Sequence, residues 1–211
     1  DEIEKFIFHS PGKEEKVYLK KNDSSQIYAA FTFPAFSMGD RESRYAGIIP
    51  LLLTEGYNSL LFKKLREEKG LLYYIESFMA EFTKSGYFTI NLSADKKNLK
   101  EVIKTILLTL KELKSEEISS QDLRRIKNAF ISESIFNMED KESVGESAAT
   151  EYSLIGEILD VEKDIIPAAR KITYKDIKEM AHSLFQFECF QLIILGNLNL
   201  QEKKEIEAII K

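Results

Sequence analysis

Cysteine and histidine are nearly absent from this 211-residue chain, which holds one of the first and two of the second. Cys189 has no partner, so no intrachain disulfide can form. The compartment stays open, because a secreted protein need not contain disulfides. Cys189 lies in the apolar run FECFQLIILG and reads as an inert buried thiol. Zinc needs three or four ligands gathered in a tetrahedron, and His9, His182 and Cys189 form no close pair. Glu179 and His182 are three residues apart on a helix, but one such pair holds no metal; di-iron proteins use two, with further carboxylates. His182 reads as a solvated helix residue. The nine glycines include no Gly-x-Gly, which argues against a phosphate-cradling loop. A Gly-x-Ser-x-Gly elbow is missing too, and two scattered histidines build no Ser–His–Asp arrangement. The net charge is −5 with both signs interspersed, so no basic block invites nucleic acid. No apolar run approaches the roughly 18–20 residues that cross a bilayer, and no signal-peptide pattern opens the chain. It starts DEIEKF rather than with Met, as expected of a piece of a longer or processed polypeptide.

What is present describes a globular protein. A hydrophobic fraction of 44% and a charged fraction of 31% suit one domain over 1–211, large enough for a core without disulfides or metal. EKFIFH and KVYLKK are strand candidates separated by SPGKEE, and IYAAFTF (27–33) is a third, ending at Pro34. RESRYAGIIPLLLTE reads as a helix that Pro50 kinks or restarts. After a break at Gly56, Asn58 is expected to cap a second helix, NSLLFKKLREEK, which Gly70 ends in a left-handed cap. LLYYIESFMAEFTKSGYFTINLSA predicts a long antiparallel hairpin. Leu99, Val102, Ile103, Ile106, Leu107, Leu110 and Leu113 then recur at helical spacing on one face. Further helices are expected from Ser119 or Ser120 to about Met138, across 140–156, and after a Thr173 cap with Asp176 completing a capping box. CFQLIILG reads as a fully buried strand, and LQEKKEIEAIIK as a polar closing helix. The order gives no regular βα alternation and no linker. It implies an α+β fold, a two-layer sandwich with a mostly antiparallel mixed sheet and helices packed on one face.

Paired carboxylates on the surface helices read as solvated faces carrying i,i+4 ion pairs. The remaining candidates are Arg66, near a helix end, and Tyr73, seven residues on and just past a glycine turn into a strand. Two rigid elements meeting at such a turn can aim a guanidinium and a phenol at one peptide carbonyl, or at the oxyanion it becomes during hydrolysis. The plainer alternative stays open: an arginine there binds free helix carbonyls, and a tyrosine at a strand start packs.

The run GYNSLLFKKLREEKGLLYYIES (56–77) resembles the motif in the second homologous half of insulinase and mitochondrial-processing-type zinc peptidases. There a small-residue turn leads to a Leu-Phe helix, an Arg, a Lys-Gly turn and a Tyr, positions held here by Arg66, Gly70 and Tyr73. The similarity extends over most of the chain, through GYFTINLSADKKNLKEVIKTILLTLKEL and ITYKDIKEMAHSLF. Two departures stand out: a single glycine in Glu55-Gly56-Tyr57, and Leu60 where an Arg is frequent. The resemblance implies a processing-peptidase-like half domain. It also implies that zinc sits in a homologous half with a His-x-x-Glu-His helix, in the same chain or another subunit. No such motif occurs here, so no metal and no catalytic residue is expected of this chain. Arg66 and Tyr73 are the implied substrate-binding pair, and peptides or unfolded proteins the implied substrate. An inert structural or interaction module that kept the fold is the alternative.

Overall fold

The computed structural model describes residues 16–210. The expected strand EKFIFH and His9 lie outside the described residues. Among the described residues, five strands form one mixed sheet in the order β1-β5-β2-β4-β3: β1 (Val17–Lys21), β2 (Gln26–Ala35), β3 (Leu72–Glu81), β4 (Gly86–Asp95) and β5 (Gln191–Gly196). Only β1 and β5 run parallel; the other pairs are antiparallel. The α+β reading, a mostly antiparallel mixed sheet with helices on one face, describes this architecture.

Strand alternation builds the core. In β2, Ile27, Ala29, Phe31 and Phe33 point inward and are buried. Phe33 stacks on Phe190 at 5.3 Å and meets the Phe185 ring edge-on at 5.4 Å. Over this face lie α3 (Leu99–Ser115) and α7 (Tyr174–Leu184). The seven residues of the predicted stripe, Leu99, Val102, Ile103, Ile106, Leu107, Leu110 and Leu113, are all buried, while Leu108, off that face, is exposed. Ile177, Met180, Ala181 and Leu184 do the same for α7, which Thr173 and Asp176 start with a complete capping box. The Thr173 hydrogen bonds are the main cause that lowers the Asp176 pKa.

Among the described residues, nothing covers the opposite face of the sheet. Tyr18, Tyr28, Tyr74, Phe78, Tyr87 and Ile193 are all exposed large side chains on the strands. Register aligns Tyr28 with Ser93 and Ser93 with Tyr74, placing them in one row on that face.

Several local expectations need correction. CFQLIILG is not fully buried: β5 alternates, with Leu192 and Ile194 inward and Ile193 exposed, because the described residues cover one face of the sheet and not the other. Cys189 is half-buried in the turn before β5. β2 continues past Pro34 to Ala35. The pairing with β5 has already ended at Thr32, so the missing proline N–H costs no bond there. The first helical stretch divides into a 3-10 turn, Arg41–Tyr45, and α1 (Ile48–Leu53). Pro50 falls in the first turn of α1, where backbone N–H groups lack intrahelical partners anyway, so the helix restarts just ahead of it, one of the two expected outcomes.

Two further helices follow α3. α4 (Ser120–Asn137) is capped by the Ser119 hydroxyl and inserts Ile126 into the core. α5 (Lys141–Ile155) has no buried residue; it is held by an Asp140 cap at its start and by Gly156 at φ +76° after its end. A π turn (Val161–Ile165), α6 (Ile166–Lys171) and, at the end, α8 (Leu200–Ile210) complete the chain.

Candidate functional site

The segment carrying Arg66 and Tyr73 is made of two backbone irregularities joined by a left-handed turn. α2 (Leu60–Phe62) starts at Ser59, not at Asn58, because Ser59 has the extended backbone of a capping residue. Its hydroxyl donates back to Gly56 O at 2.8 Å rather than capping the helix. Leu61 and Leu65 are fully buried and anchor the inner face. The expected single helix does not run on; at Lys63–Glu67 it widens into a π turn, a form frequent at functional sites. Gly70 ends it at φ +58°. Gly70 N donates to Arg66 O at 3.2 Å, the single bond of an αL cap, and Leu71 N donates to Leu65 O at 2.8 Å. A Cβ on Gly70 would meet nothing within 4 Å, so Gly70→Ala is expected to cost about 1–2 kcal/mol through backbone conformation alone. Urea unfolding with an unchanged m-value checks this; an unaltered midpoint would contradict the left-handed turn.

Past the cap, β3 slips register between Leu72 and Tyr74. Along most of the strand the odd positions face inward, Ile75 opposite Leu92 and Ser77 opposite Ile90. That phase would drive Tyr73 into the core. The bulge inserts Tyr73 as an unpaired extra residue, so Leu72 takes the inward place opposite Ala94 and Tyr73 turns out to 56% exposure. Its hydroxyl donates to Asp95 Oδ2 at 3.2 Å and Oδ1 at 3.3 Å. The Asp95 charge, then this hydrogen bond, raise the Tyr73 phenol above the ordinary tyrosine value.

Arg66 is exposed, and its guanidinium lies 5.1 Å from the centre of the Phe62 ring one turn earlier. Phe62 in turn meets Tyr57 edge-on at 5.5 Å. Two neighbouring cations are tied down. Lys64 bonds Glu112 and Thr109 on α3, and Lys69 bonds Glu101 at 2.7 Å and Thr105 at 3.2 Å. Among the described residues no hydrogen bond or ion pair engages the Arg66 side chain, so its five N–H donors are free. Arg66 and Tyr73 thus flank one rigid turn, but each touches its own neighbour and no hydrogen bond joins them. Sequence reasoning missed Phe62 and Asp95, which hold the pair. The i,i+4 spacing of Phe62 and Arg66 was a usable signal; the 22 residues between Tyr73 and Asp95 left none.

Among the described residues, no group of three or more His, Cys, Asp or Glu is placed to hold a metal ion. His182 is exposed, and Glu179 beside it pairs with Lys175 at 3.6 Å. These residues do not fit a zinc site. No helix among the described residues is long and apolar enough to cross a membrane.

Comparison with known proteins bears on the family and the fold. Residues 3–130 match the family described as the peptidase M16 inactive domain. A Bacillus subtilis protein described as the uncharacterized zinc protease YmxG is 25% identical over 183 residues, covering 87% of this chain and 43% of the relative. A Streptomyces coelicolor protein, the uncharacterized zinc protease SCO5738, is 20% identical over 80% of this chain and 37% of its own length. This chain therefore spans less than half the length of these curated relatives. Among solved structures, a peptidase M16 inactive domain from Pseudomonas fluorescens superposes with a TM-score of 0.72 at 18% identity, over 88% of this chain and 44% of that one. A chain of complex III2 from Candida albicans gives 0.77 at 13% identity, over 91% and 49%. The chain belongs to the M16 peptidase family, as an inactive domain of that family.

Proposed function

We propose that this chain is the non-catalytic half of a zinc-dependent endopeptidase, closing a chamber and offering Arg66 and Tyr73 to a peptide substrate. The zinc belongs to a homologous half in the same polypeptide or another subunit, where it supplies the Lewis acid and the activated water. The observation that carries this reading is the pair of irregularities on either side of Gly70. A π turn and a β-bulge bring an unpaired guanidinium and an outward phenol to one short segment. Both groups donate hydrogen bonds, so both suit a peptide carbonyl or the oxyanion formed from it. Among the described residues β3, which bears Tyr73, is an edge strand, and an extended peptide can lie along such an edge. The open aromatic sheet face offers apolar surface for unfolded chain.

A second reading, an inert structural module, is favoured by the fold similarity to a chain of complex III2. Arg66→Ala and Tyr73→Phe in the complete peptidase separate the two. The first reading expects kcat to fall in both variants at unchanged zinc content; wild-type turnover in both leaves the module reading standing.

A further inference from the structure

We propose that Asp95 is a positioning residue for Tyr73, holding the phenol outward in the free chain and pairing with it as acceptor beside donor for one stretch of peptide backbone. This rests on the substrate-binding reading of Tyr73. Asp95 ends β4 and stands at the N-cap of the 3-10 turn Lys96–Asn98, yet its side chain makes no cap hydrogen bond. An aspartate at that place ordinarily accepts from the backbone N–H groups ahead of it. Here both carboxylate oxygens accept from Tyr73 instead. The bulge makes this possible, because it turns Tyr73 out of the core just where Leu72 sits opposite Ala94, the residue before Asp95.

The bond is also releasable. Its lengths of 3.2 and 3.3 Å exceed the roughly 2.5–2.7 Å of a strong O–H to carboxylate bond, and Tyr73 is more than half exposed. An arriving peptide carbonyl takes the phenol hydrogen, and the freed carboxylate then accepts an adjacent peptide N–H. Donor beside acceptor matches the C=O and N–H of an extended backbone, independent of side chain.

The test is Asp95→Asn in the intact chain, labelled with 13C at tyrosine Cζ, with the Tyr73 signal assigned by Tyr73→Phe. Asparagine caps turns as well as aspartate, and a thermal melt confirms the fold. The phenol is expected to titrate above ordinary tyrosine in the wild type and to fall toward the ordinary value in the variant. An unmoved Tyr73 titration overturns the proposal. A capped, disordered 15-residue Ala/Ser/Gln peptide is then added to both. Its affinity, read at Tyr73, is expected to drop roughly five- to tenfold in the variant. Equal affinity, with the titration moved, overturns the backbone-pairing role. If the peptide never perturbs wild-type Tyr73, the substrate-binding reading has failed, while the titration still decides whether Asp95 holds the phenol.

Discussion

Replacing Arg66 with alanine in the complete zinc-bearing peptidase is expected to lower kcat by roughly 10²–10³, the usual loss when one preorganised oxyanion donor is removed. The physical basis is that, among the described residues, no hydrogen bond or ion pair takes the Arg66 donors, while those of Lys64 and Lys69 are tied to α3. Donors left open for substrate strengthen their contacts as charge develops on it, and that difference appears in kcat rather than in KM alone. Arg66→Lys restores little, because an ammonium lacks the planar fork of the guanidinium. Stability should hardly change: the Phe62 contact is exposed, and such cation–π pairs contribute about 0.5–1 kcal/mol. Melting temperature and zinc content therefore serve as controls. Steady-state turnover equal to wild type in Arg66→Ala would reduce the residue to a surface side chain.

Phe33→Ala is the substitution expected to cost most in stability. Phe33 is fully buried on β2, the middle strand of the sheet. Its ring contacts Phe185, Phe187 and Phe190, so truncation leaves a cavity that three rings from one loop region must fill. Losses for buried Phe→Ala run about 3–5 kcal/mol, equivalent to roughly 6–20 °C in melting temperature for a domain of this size. Phe82→Ala, at an exposed aromatic, should stay within about 0.5 kcal/mol. Urea unfolding of the two variants checks the contrast. A Phe33→Ala loss below about 1 kcal/mol would contradict the core described for the sheet and its helices.

Elements that declare themselves by period were legible in the sequence. The stripe from Leu99 to Leu113 requires a helix with one buried face, and the Thr173–Asp176 pair marks where α7 starts. The hairpin of β3 and β4 followed from aromatic and β-branched residues around TKSG. Gly70 was legible because only a left-handed residue ends that turn cheaply. Strand burial was less legible: CFQLIILG is as apolar as a strand covered on both faces, and only the sheet's bare face shows why Ile193 is exposed. Pro34 was misread as a strand end because the early end of β5 is a tertiary fact. For the site, Arg66 and Tyr73 emerged from local spacing and a family resemblance. Asp95 did not, since a bulge that shifts one residue of register leaves no mark in composition. The bareness of α5, which has no buried residue, was equally hidden.

The central claim is that this chain supplies substrate contacts and no metal chemistry. Its most direct test is metal analysis and peptide hydrolysis on the purified 211-residue chain. The expected result is far less than one zinc per chain and no cleavage of an unfolded protein. One tightly bound zinc per chain, with cleavage that a chelator abolishes, would contradict it.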